Sequence, residues 1–260
     1  MKMSQLACAA LLAAFSAGAA AVGGLADLSV YDRSEGRSLP VYWHGGRAWV
    51  VGKPGNEYQL VVRNRLGEDL LAVLSVDGVN VVSGETANVQ QGGYVLSPGR
   101  ALEVKGWRKD LARTAAFYFT PLADSYAART GRPDNVGAIG VALFRRKAPD
   151  PAPLSQIAPS AKAERSDAAA SGAAAPAARA AAEAPRAATD GPLGTGHGRN
   201  ETSHARLVGF ERATREPTET VVLYYDSYIN LVARGIIPAE PSGRRPAPNP
   251  FPGFVPDPPA

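Results

Sequence analysis

Between Leu70 and Gly84 the chain runs LLAVLSVDGVNVVSG, two apolar, β-branched arms joined by Asp77-Gly78. An Asp-Gly pair accepts the positive φ angles that a two-residue loop demands, so this pattern predicts a β-hairpin. The loop would pair Val76 with Val79, Ser75 with Asn80, Leu74 with Val81 and Val73 with Val82, matching polar to polar and aliphatic to aliphatic. A slip of one residue would set Ser75 and Asn80 against valines and turn every side chain to the other face, so the register is specified.

Similar short runs recur along the chain. Arg37 to His44 and Arg47 to Val51 flank Gly45-Gly46, another hairpin pattern. Tyr58, Leu60 and Val62 alternate with Gln59, Val61 and Arg63, the period of a strand with one buried face. Further strand runs are Tyr94 to Ser97, Ala101 to Trp107, Ala115 to Thr120 and Asn135 to Arg145; Asp124 to Gly131 reads as a short helix capped by Asp124 and stopped by Gly131. About eight or nine strands, with no helix long enough for a crossover, predict a mainly β fold, an antiparallel β-sandwich or jelly-roll-like domain over residues 27–147.

From 148 to 190 the sequence turns to Ala, Pro, Ser and scattered charge; Pro176 and Pro185 interrupt any helix and no bulky stripe is present to bury, which predicts a disordered linker. Residues 191–238 regain order in the pattern. The runs 206–212 and 219–225 predict a C-terminal β-hairpin, Asp226 to Gly235 a short helix or further strand, and the whole piece is expected to dock onto the sandwich as edge strands. The Pro-rich tail, 239–260, is expected to be disordered.

Residues 1–26 carry a secretory pattern. Met1 and Lys2 precede an apolar run from Leu6 to about Val22 with small residues at Ala19, Ala20 and Ala21, so cleavage is expected after Ala21 or Ala26. The single cysteine, Cys8, lies inside that run, which leaves the mature chain without a thiol, a disulfide or a Cys metal ligand. No later segment is long and apolar enough to span a bilayer. The expected location is the periplasm or the exterior. A formal charge of +4 is mild, and the clusters Arg145-Arg146-Lys147 and Arg244-Arg245 read as solvated boundary charges rather than a nucleic-acid footprint.

The segments LSVDGVNVVSGE (74–85), GYVL (93–96), GWRK (106–109), AAFYF (115–119) and SYAARTGRPDNVGAIGVALF (125–144), with LGTGHGR (193–199) and YYDSYINLVARG (224–235), resemble an uncharacterised family of exported proteobacterial proteins. The resemblance implies export and the two-part layout. It implies no activity, cofactor or catalytic residue.

Candidate chemistry is sparse. The three histidines, His44, His197 and His204, lie outside any G-x-S-x-G or H-E-x-x-H context, and no metal site or cofactor is expected. His197, between Gly196 and Gly198, is the one weak catalytic candidate, in a stretch read as a loop. Asp77 and Asn80 place polar groups at a hairpin tip where a ligand could be held. Trp107, with Tyr94 and Tyr118, offers faces on which a glycan or peptide could stack, and Arg108 follows it directly. The expected function is therefore that of a non-enzymatic binding protein for an envelope protein, peptide or glycan. The alternatives are an envelope-polymer hydrolase using His197 with Asp77 or Asp226, and a structural envelope component.

Overall fold

A computed structural model describes residues 21–148 and 191–239. The expected leader up to residue 20, the linker from 149 to 190 and the tail from 240 lie outside the described residues. The chain folds as two packed sheets. The first contains β1 (Ala26–Asp32), β2 (Arg37–Ser38), β5 (Glu57–Asn64), β9 (Ala101–Val104), β10 (Gly106–Arg108), β11 (Arg113–Pro121) and β13 (Leu193–Thr202). The second contains β3 (Tyr42–His44), β4 (Arg47–Gly52), β6 (Leu70–Val76), β7 (Val79–Asn80), β8 (Tyr94–Leu96), β12 (Ala138–Arg145) and β14 (Glu219–Ser227). Two short helices, α1 (Tyr126–Arg129) and α2 (Tyr228–Ala233), complete it.

The core lies between the sheets. Leu28, Val30, Tyr58, Leu60, Val62, Phe117 and Phe119 of the first sheet pack with Leu70, Leu74, Ile139, Val141, Leu143, Leu223 and Tyr225 of the second. Each fully buried aliphatic side chain there contributes about 1.5–3 kcal/mol. The run at 70–76 is apolar without alternation because both faces of β6 are covered: Leu71 and Val73 join Ala142 and Phe144 on the outer face, under Val89, Val95 and Phe210.

The Asp77-Gly78 hairpin forms with the expected register at its tip, Val76 opposite Val79 and Ser75 opposite Asn80, with φ of 54° at Asp77 and 73° at Gly78. Its second arm then stops short. Val81 N–H still reaches the Leu74 carbonyl, but the Asn80 side chain accepts from the N–H groups of Val82 and Ser83, at 2.8 and 3.1 Å, and turns the chain away. β8 takes the vacated place beside Leu70 to Ala72.

The C-terminal part departs most from expectation. No hairpin forms there: β13 joins the first sheet beside β11, while β14 enters the second sheet between β12 and β4, central rather than at an edge. The β4–β14 pair is the parallel one in an otherwise antiparallel set of named strand pairs. Residues 206–212 contribute only an isolated bridge, Arg212 to Arg146, whereas the Gly-rich stretch read as a loop is β13. Its glycines are there for room. A Cβ on Gly196 would lie 2.1 Å from the Tyr118 ring, and one on Gly194 would lie 2.6 Å from Ser125 Cβ.

Three smaller boundaries also move. The folded part begins before residue 27, since Val22 bridges to Leu28 and the Glu219 carboxylate accepts from Gly24 and Leu25 N–H, each at 2.6 Å. α1 is capped by Ser125, whose hydroxyl accepts from Ala128 N–H at 3.1 Å, and not by Asp124. α2 starts after a matching Ser227 cap.

Candidate functional site

The expected ligand residues divide into those the fold encloses and those it ties down. Asp77 and Asn80 are both fully buried. Asn80 donates to Gln91 Oε1 and the Gly92 carbonyl besides capping the turn after it, so its amide is occupied in holding the 81–92 loop. Trp107 is buried edge-on against Phe117, with ring centres 5.0 Å apart, and tilted against Tyr126. Arg108 donates to the Tyr94 hydroxyl, the Asp110 and Ser203 carbonyls and the Ser203 hydroxyl, at 2.9–3.0 Å. It thereby clamps the end of β13 to β10, and no open stacking platform forms. Arg145, Arg146 and Lys147 are ion-paired with Glu68, Asp69 and Glu211.

Asp77 anchors a polar chain that crosses the core. Its carboxylate accepts from Gly137 N–H at 2.9 Å, Thr195 N–H at 2.8 Å and the Tyr225 hydroxyl at 2.5 Å. The Tyr225 proton goes to Asp77, so Thr195 Oγ1 donates to Tyr225 at 2.7 Å and the Tyr58 hydroxyl donates to Thr195 at 2.6 Å. Three hydroxyls thus point their protons along one line toward one carboxylate, two from each sheet counting Asp77. Burial raises Asp77 to about 6, against the opposing hydrogen bonds from Tyr225, Gly137 and Thr195. Burial, then the Asp77 charge, holds both tyrosines well above the usual phenol range.

His197 sits two residues beyond Thr195 on β13 and is exposed. Its ring centre lies 5.4 Å from that of Tyr126. Burial against its neighbours, then the nearby Lys109 and Arg129 charges, holds its pKa below the usual imidazole value. No described carboxylate hydrogen-bonds it, and the oxygens of Asp77 are committed elsewhere. Asp226 accepts from Leu193 N–H, Ser227 N–H and Asn230 Nδ2, tying α2 to the start of β13. Among the described residues no group of three or more His, Cys, Asp or Glu is placed to hold a metal.

The sequence patterns missed a cleft of about 410 Å³ between the β1–β2 turn, the end of β4, the start of β13 and the first turn of α2. Leu39, Pro40, Tyr42, Val51, Pro54, Leu193 and Ile229 give it an apolar lining. Glu35 stands at its rim between Arg37 and Lys53, whose hydrogen bonds hold its carboxyl below the usual range. Asp32 fixes the turn beneath by accepting from Ser34 N–H, Glu35 N–H and Asn56 Nδ2 at 2.8–2.9 Å. Tyr228 is 40% and Ile229 66% exposed at the other lip. A prolyl and aromatic lining with a paired charged rim suits an apolar or proline-containing chain segment. No local pattern marks the cleft, because its walls come from five separated segments. Compared with protein-family models, curated proteins and solved structures, the chain finds no match.

Proposed function

We propose that this protein is an exported, non-enzymatic binding module of the cell envelope that takes a short extended segment of a partner protein in the cleft at the start of α2. The observation that carries this reading is the cleft itself: an apolar, open-mouthed concavity of about 410 Å³ beside the exposed Ile229. The N-terminal secretory pattern and the resemblance to exported proteins support the location. A cut after Ala21 suits the fold better than one after Ala26, because Val22 to Ala26 are built into it. No observation favours the hydrolase, since His197 has cations and a phenol ring beside it and no hydrogen-bonded carboxylate among the described residues.

A photo-crosslinking residue in place of Ile229, expressed in the source cells, should give a discrete adduct, and the same residue at Leu207 should not. Mass spectrometry of the processed protein should find Val22 at its N-terminus. Equal labelling from both positions, or none from Ile229, overturns the binding reading; an uncleaved leader in a cytosolic fraction overturns the location.

A further inference from the structure

A second cavity, of about 230 Å³, opens at the far end of α2, lined by His44, Gly45, Arg47, Trp49, Arg234 and Ile236. The β3–β4 register sets His44 opposite Arg47 and Tyr42 opposite Trp49, so His44, Arg47 and Trp49 share one face of the hairpin. α2 brings Arg234 over the same face. Each guanidinium group sits over a neighbouring ring: Arg234 Cζ is 4.5 Å from the Trp49 ring centre and Arg47 Cζ is 5.4 Å from that of Tyr224, and the two rings are 4.9 Å apart.

The acceptors are what this cavity lacks. Arg47 has no ion pair or hydrogen bond among the described residues, and Arg234 has only Asp226 at 3.5 Å. The indole N–H of Trp49 is buried with no hydrogen-bond partner among the described residues, although Trp49 itself is only 5% exposed. A guanidinium group without a close carboxylate partner is free to give charge-assisted hydrogen bonds to an oxyanion. No carboxylate lines the cavity to compete for it.

We propose that this pocket binds an oxyanion, a phosphate or carboxylate group, between the Arg47 and Arg234 guanidinium groups, beside the Trp49 ring that lines it. The forked donors of the two guanidinium groups suit either group, and His44 lines the same cavity.

The test is an NMR titration of the full mature protein at pH 7, following the assigned Trp49 indole N–H signal. Inorganic phosphate and succinate are added in separate arms, with potassium chloride at matched ionic strength as the control. The expected result is a saturable shift of that signal with at least one oxyanion and none with chloride. The arm that responds identifies which oxyanion the site prefers. In Arg47→Gln, an exposed position whose change should leave the melting temperature unaltered, the apparent Kd should rise at least tenfold, and Arg234→Gln should do the same. An unmoved or linearly drifting Trp49 signal in both arms overturns the proposal, as does an affinity unchanged in Arg47→Gln.

Discussion

The polar chain around Asp77 and the cleft at the start of α2 dispose of their polar groups in opposite ways. In the interior, Asp77, Tyr225, Thr195 and Tyr58 are enclosed and every hydroxyl proton has an acceptor. At the cleft the charges pair with one another on the rim and the lining is left apolar and open. Around Asp77, polar residues concentrated at one point mark a joint between sheets, whereas at the cleft the polar groups have withdrawn to the edge. The interior arrangement also explains the free edge of β13, whose Leu193 and Thr195 N–H groups are received by the Asp226 and Asp77 carboxylates in place of another strand.

The largest break of this contrast is loss of the C-terminal strands. A chain ending at residue 148 lacks the centre of the second sheet and should give no cooperative unfolding transition, whereas adding a separately produced 191–239 segment should restore one, as seen by circular dichroism. Next comes Asp77→Ala, which leaves Gly137 N–H, Thr195 N–H and the Tyr225 hydroxyl buried without an acceptor. Urea unfolding should show a loss of about 3 kcal/mol or more.

The pH dependence of the same group has a definite sign. With Asp77 raised from 3.8 to about 6 in the fold, the native state holds a proton that the unfolded chain has released between those values. Its contribution is complete below about pH 4, falls as pH rises to 6 and is flat beyond, an effect of roughly 3 kcal/mol. The stability difference between wild type and Asp77→Asn should follow that course in urea titrations from pH 3.5 to 7.5. A difference that grows with pH would mean the carboxylate is held ionised.

Tyr225→Phe removes one donor from Asp77 and one acceptor from Thr195, and should cost about 1–2 kcal/mol in the same assay. The smallest effect sharpens the contrast from its other side: Ile229→Asp, at the exposed lip, should change stability by no more than about 0.5 kcal/mol while abolishing partner capture. A large stability loss there would make the cleft a structural element too.

Much of the sandwich was legible because its signals are local. The Asp77-Gly78 turn, the Gly45-Gly46 hairpin and the alternation through Tyr58, Leu60 and Val62 each depend on a few neighbouring residues, and the fold forms all three. β13 was hidden because Gly194, Gly196 and Gly198 have low strand propensity; pairing with β11 holds the strand, and Tyr118 and Ser125, from elsewhere in the chain, leave room only for glycine at 196 and 194. The pairing of β14 with β4 depends on residues far apart, which no turn chemistry announces. The candidate ligand residues were chosen for polar groups or aromatic faces, and the burial of Asp77, Asn80 and Trp107 is a property of the assembled sheets. Both cavities escaped for the same reason.

The central position of β14 also sets a clock on biosynthesis. β12 is complete at Arg145, yet the neighbour it shares with β4 arrives only with Ser227, roughly 80 residues later, or about 4–16 s at ordinary rates of chain elongation. Throughout that interval a nascent chain carries two facing strand borders and no strand to place between them. Until β14 is made, those borders stand open to pairing with other chains, and the nascent polypeptide must be shielded from its neighbours.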